Sequence, residues 1–151
     1  MADEQKLPIR ILSIEDDEFI RLFIKDVMWI HGANENIQFD TVSNTEAGLV
    51  RIKDPATRPH ILFLDLMLPE KDGGSPDIEN GMGVLEKVKT DPDLMSIKVL
   101  VFSSLKEAEV KEKVMRLGAD RYMVKGEYLP AELIATVKEI MQQVDRSSNS
   151  Q

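Results

Sequence analysis

The run Ile61-Leu62-Phe63-Leu64-Asp65-Leu66-Met67-Leu68-Pro69 constrains this chain more than any other stretch. Four apolar residues lead straight into a carboxylate. So short a run cannot be a helix of its own and reads as a buried strand of a parallel sheet. Asp65 then stands where the strand leaves the sheet, at the carboxyl edge where open α/β sheets bind ligands. A carboxylate in apolar surroundings is costly unless something pairs with it. The plain alternative, a turn cap, accounts only for one acid in isolation.

The rest of the chain supplies companions. Residues 9–14 predict a first strand, ending on Glu15-Asp16-Asp17. A helix follows, with Ile20, Phe23, Ile24, Val27 and Ile30 spaced for one buried face and Gly32 as its stop. Trp29 reads as packing. Residues 37–42 alternate as a more exposed strand. Ser43 or Asn44 can cap a helix to about Lys53, ended by Pro55 and Pro59. After the Asp65 strand comes a loop over residues 70–81, longer than the ~2–6 residues of most βα loops, which reads as an insertion. A helix is expected over residues 82–89, then a strand over 97–102 that ends on Ser103-Ser104. The next helix turns Val110, Val114 and Leu117 inward and stops at Gly118. Arg121–Val124 forms a short strand ending on Lys125-Gly126. A last helix opens at Pro130 and buries Leu133, Val137, Ile140, Met141 and Val144. His31 and His60 read as helix-end and loop residues, away from the acids.

Five strands thus alternate with five helices, which predicts an α/β fold: a doubly wound parallel sheet with right-handed crossovers. The 151 residues suit one domain, expected over residues 9–145, with an extension over 1–8 and a disordered tail over 146–151. A net charge of −8 argues against non-specific nucleic-acid binding. Without cysteine there is no disulfide, thiolate nucleophile or Cys-based zinc site. The N-terminus has no basic-then-apolar leader, and no apolar run approaches the ~20 residues of a membrane span. The expectation is a soluble, cytoplasmic protein.

In such a sheet, Glu15, Asp16, Asp65, Ser103 and Lys125 all arrive at one edge. Three close carboxylates repel unless a cation intervenes. Oxygen ligands without His or Cys favour a hard ion, above all Mg²⁺. A lysine and a hydroxyl facing that ion suit a phosphoryl group. Asp65 is then the candidate nucleophile of an in-line phosphoryl transfer.

Ile11-Leu12-Ser13-Ile14-Glu15-Asp16-Asp17, Leu64-Asp65-Leu66-Met67-Leu68-Pro69, Val101-Phe102-Ser103-Ser104 and Gly118-Ala119-Asp120-Arg121-Tyr122-Met123-Val124-Lys125 together resemble the receiver domains of two-component response regulators. The resemblance implies a flavodoxin-like (βα)5 sheet of strand order 2-1-3-4-5. It implies that Asp65 accepts a phosphoryl group from a histidine kinase or histidine phosphotransfer protein. Asp16 would ligate Mg²⁺ directly, Glu15 through water, and the backbone carbonyl of Met67 would be a further ligand. Lys125 would pair with the phosphoryl oxygens, Ser103 would move to bond them, and Tyr122 would be the aromatic switch. The output face would be the fourth helix, fifth strand and fifth helix. Met67 and Leu105 stand where side chains flank the hydrolytic water, and both are apolar, which implies slow self-dephosphorylation. The chain departs from the family at Gly126, where proline is usual, and in the long loop of residues 70–80. A cis bond before a non-proline residue costs ~3–4 kcal/mol, so a trans Lys125–Gly126 bond is expected, with Gly126 taking unusual backbone angles.

The leading reading is a stand-alone receiver, since no output domain fits within this length, and it leaves homodimerisation open. A phosphatase with an aspartyl-phosphate intermediate is the enzyme alternative. Such enzymes usually carry a second acid two residues after the nucleophile, where this chain has Met67. A pseudo-receiver that never takes phosphate is the binding-module alternative, opposed by the joint presence of Glu15, Asp16, Asp65, Ser103 and Lys125. No Gly-rich phosphate loop follows the first strand, so a nucleotide-binding reading lacks support. Taken singly, Lys125 could be a solvated lysine, Ser103-Ser104 a helix cap, and Tyr122 a half-buried strand aromatic.

Overall fold

The computed structural model describes residues 7–144. The expected tail over 146–151 lies outside them. Strands β1 (Ile9–Ile14), β2 (Ile37–Val42), β3 (Ile61–Leu64), β4 (Lys98–Ser103) and β5 (Arg121–Val124) alternate with helices α1 (Glu18–His31), α2 (Thr45–Lys53), α3 (Ile78–Thr90), α4 (Ala108–Arg116) and α5 (Pro130–Met141). The sheet is parallel, in the order β2-β1-β3-β4-β5. This is the flavodoxin-like arrangement the resemblance implied.

Alternation along the strands divides the core between the two faces of the sheet. Ile9, Ile11, Ile61, Phe63, Leu100 and Phe102 pack with α1 and α5. Leu12, Ile14, Leu62, Leu64, Val99 and Val101 pack on the other face with α2, α3 and α4. Both faces of β3 are therefore buried in apolar core, which is why that strand reads as an unbroken hydrophobic run. Among the described residues no helix is long and apolar enough to cross a membrane.

The structure corrects several local expectations. Helix α3 starts at Ile78, not at residue 82. Asp77 caps it by accepting from the Glu79 N–H at 2.9 Å, and Asn80-Gly81 lies inside the first turn. Trp29 is not packing: it is 79% exposed, and Ile30 beside it is 66% exposed. Met28 takes the inward place on α1 that Ile30 was expected to fill. Ser103 and Ser104 do not cap α4, whose N-cap is Glu107. Val144 lies beyond α5 and is only partly buried. His60 stands in the bend before β3, as a loop residue, but it is buried, and its Nδ1 accepts the Arg10 N–H at 2.9 Å.

Candidate functional site

Strand register assembles the site. Ile14 pairs with Leu64, so the next residues, Glu15 and Asp65, leave the sheet side by side. The Asp65 N–H still bonds the Ile14 carbonyl at 3.1 Å. Ser103 pairs with Val124, which delivers Lys125 to the same edge. Glu15 and Asp65 are 2% and 5% exposed, and Ser103 is fully buried. Carboxylate oxygens of Glu15, Asp16 and Asp65 all lie within 4.8 Å of one another. Lys125 Nζ pairs with Glu15 Oε1 and lies 3.2 Å from Asp65 Oδ2. Asp65 Oδ1 accepts the Leu66 N–H at 2.8 Å. That bond is a turn cap, but it engages only one of the two oxygens.

The electrostatics follow from burial. Glu15 is pushed up to about 8, first by loss of water and then by the neighbouring Asp65, with Lys125 opposing. Burial also raises Asp65, against the pull of Lys125 and of its bonds to Glu15 and Leu66. Burial alone would lower the Lys125 ammonium, but Asp65 and Glu15 outweigh it and its pKa rises. Two buried acids with one lysine are thus short of positive charge. The donor set is all oxygen, which fits a hard divalent cation.

The loop after Asp65 is pinned on both sides. Pro69 and Glu70 carbonyls accept the Thr45 and Glu46 N–H groups, at 3.1 and 3.0 Å, in the first turn of α2. Leu68 bridges Asp77, and Asn80 Nδ2 donates to the Leu68 carbonyl at 2.8 Å. The loop is closed back onto the sheet edge rather than left as an open flap. Met67 points partly outward, at 38% exposure.

On the other flank, the Ser103 hydroxyl accepts the Leu105 N–H at 3.2 Å. The half-buried Tyr122 donates its hydroxyl to the Leu105 carbonyl at 2.6 Å. Burial raises the Tyr122 pKa, while its bond to Ser103 lowers it. Ser103 and Tyr122 therefore meet at one short loop. The Lys125–Gly126 bond is trans and Gly126 has φ +84°. An added Cβ at Gly126 would meet nothing within 4 Å, so the backbone angle, not space, selects glycine there. Sequence reasoning missed Arg21, whose guanidinium bonds the carbonyls of Glu15 and Asp16. No motif marks it.

Comparison with known proteins agrees with this edge. A probable transcriptional regulator, ycf27, of Porphyridium aerugineum is 26% identical over 141 residues, 93% of this chain and 51% of that protein. The chain thus spans about half of that relative's length. The chemotaxis protein CheY of Listeria monocytogenes is 27% identical over 118 residues, 78% of this chain and 86% of CheY. The phosphorylated cyanobacterial phytochrome response regulator RcpA superposes with a TM-score of 0.70 at 24% identity, covering 89% of this chain and 92% of RcpA. The family model for the response regulator receiver domain matches residues 11–138, from the middle of β1 into α5, and so takes in every residue gathered at the sheet edge. This chain belongs to the response regulator receiver domain family.

Proposed function

We propose that this chain accepts a phosphoryl group on Asp65 from a phosphohistidine, in a Mg²⁺-dependent reaction, and signals by protein contact. One observation carries the reading: a buried Asp65 carboxylate lies 3.2 Å from Lys125 Nζ and within 4.8 Å of the Glu15 and Asp16 oxygens. An Asp65 oxygen attacks phosphorus, the P–N bond breaks, and the donor imidazole departs. Lys125 neutralises the incoming phosphoryl oxygens, and Ser103 supplies a hydroxyl to bond them. Glu15, Asp16, Asp65 and the Met67 carbonyl would hold the ion, which offsets charge at the transferring group. The protein is a phosphoacceptor rather than an enzyme with its own substrate, and the cytoplasm is the compartment that suits a kinase partner.

Intact mass after incubation with acetyl phosphate and Mg²⁺ tests this. One phosphoryl adduct is expected, absent in Asp65→Asn and Asp16→Ala. An adduct that persists in Asp65→Asn would sink the site assignment, and none in the wild type with any donor would favour a pseudo-receiver. Once donor is removed the adduct should decay slowly, and Met67→Asn with Leu105→Glu should speed the decay. An unchanged rate would remove those side chains from control of water access.

The donor and output faces also have candidates. Phe19 and Leu22 are 82% and 49% exposed on α1, directly after the acidic turn. A donor protein must bring its histidine to Asp65, so this apolar flank suits its docking. Phe19→Ser with Leu22→Ser should slow transfer from a histidine phosphotransfer protein and leave acetyl phosphate loading unchanged; equal slowing of both would refute the docking role. The Ser103–Leu105–Tyr122 contacts tie the site to β5 and to the loop that leads into α4, so we take the face of α4, β5 and α5 as the output surface. Amide shifts on adding beryllofluoride should spread over that face, and shifts confined to the site loops would break the link.

A further inference from the structure

We infer that Arg21 is a positioning residue that bends the end of β1 so that Glu15 and Asp16 face the same point; this rests on the metal-binding reading above. In a pleated strand, successive side chains point to opposite faces and successive carbonyls to opposite edges. Glu15 and Asp16 are adjacent, yet their carboxylate oxygens lie within 4.8 Å of each other and of Asp65. The chain must therefore leave the pleat between them. Arg21 Nη1 donates to the Glu15 carbonyl at 2.9 Å and to the Asp16 carbonyl at 2.8 Å. One nitrogen reaching two consecutive carbonyls fixes them on one side, which a strand does not allow. Arg21 is itself held one turn into α1, where its N–H bonds the Asp17 carbonyl at 3.0 Å. Asp17 caps that helix by accepting from the Phe19 and Ile20 N–H groups, and its own N–H donates to Glu15 Oε2 at 3.2 Å. The turn is thus tied at each residue.

The loop after Asp65 carries a second charge that Arg21 influences. Asp72 accepts from Ser43 Oγ at 2.6 Å and Asn44 Nδ2 at 2.9 Å. Those two bonds hold its carboxyl below the usual value, with a smaller pull from Arg21. Arg21 therefore bonds backbone carbonyls while its charge is also felt at Asp72.

Charge and geometry predict opposite results when Arg21 is removed. A guanidinium near a cation site weakens ion binding by repulsion, so on charge alone its removal tightens binding. If it positions the acids, removal weakens binding instead. Arg21→Met keeps the length and helix propensity of the side chain and loses the donor. Calorimetric titration of the unphosphorylated protein with Mn²⁺ should show Arg21→Met binding at least tenfold more weakly than wild type, with Arg21→Lys between them. Phosphorylation by acetyl phosphate should fall at low Mn²⁺ and recover at saturating Mn²⁺. Equal or tighter binding by a folded Arg21→Met overturns the positioning role, as does a lowered melting temperature with unchanged affinity. If Arg21→Met does not fold, Arg21→Lys decides: binding equal to or tighter than wild type overturns the role, and weaker binding supports it. A wild-type protein that binds no Mn²⁺ overturns the receiver reading itself.

Discussion

Gly81→Ala is expected to lower the melting temperature sharply and abolish phosphorylation, whereas Gly83→Ala, two residues on in the same helix, should raise the melting temperature. Both changes replace glycine by the best helix former, a gain of ~1 kcal/mol in a helix interior. Their surroundings differ. A Cβ at Gly83 meets nothing within 4 Å, so the propensity gain stands alone. A Cβ at Gly81 would lie 2.5 Å from Leu66 Cα, 2.8 Å from the Asp65 carbonyl oxygen and closer still to the Leu66 carbonyl oxygen. All three are backbone atoms, and rotamer changes cannot relieve them. Either α3 moves out or the Asp65 loop moves. Overpacking of this kind costs about 3 kcal/mol or more, several times the propensity gain. The loop is also tied to α2 through Pro69 and Glu70, so a shift displaces Asp65 from Lys125. Urea titration of both variants with acetyl phosphate loading is the check. A Gly81→Ala protein as stable as Gly83→Ala would mean that the helix does not press on the loop.

The same contact explains where the sequence could be read and where it could not. The strands were legible because each apolar run stops at a polar or charged residue, and parallel pairing brings those stops to one edge. The first turn of α3 was not, because Asn80-Gly81 looks like a turn. Glycine is there for close approach to the Leu66 backbone, a reason that exists only once the helix is docked. Ile30 sits near the border of the α1 face, and periodicity cannot say which side of a border is covered. Residue type alone places Trp29 inside, and for large apolar side chains that is a one-way rule. Arg21 carries no signal at all, since its partners are main-chain carbonyls.

Metal-free protein is expected to lose stability as pH rises from about 5 to 8, and Glu15→Gln should flatten that loss. The Glu15 carboxyl is raised from its ordinary 4.5 to about 8 in the folded chain, chiefly by burial and then by Asp65. Between those values the folded state holds a proton that the unfolded chain has released. Stability from this group is therefore complete below about 4.5 and is lost as pH climbs through about 8. Asp65 is raised as well and adds in the same direction. Lys125 is raised too, but its contribution is retained until the alkaline range where lysines titrate, above this window. At ~1.4 kcal/mol for each pH unit that separates the folded from the unfolded value, the loss is on the order of a few kcal/mol. Mg²⁺ should oppose it, because an ion that binds only the folded chain stabilises it and needs deprotonated ligands. The stabilisation by Mg²⁺ should thus grow from pH 5 to pH 8. Melting curves of wild type and Glu15→Gln, each with EDTA or excess Mg²⁺, separate the effects. Parallel pH profiles for the two proteins in EDTA would show that Glu15 is charged throughout, with Lys125 alone balancing the buried acids.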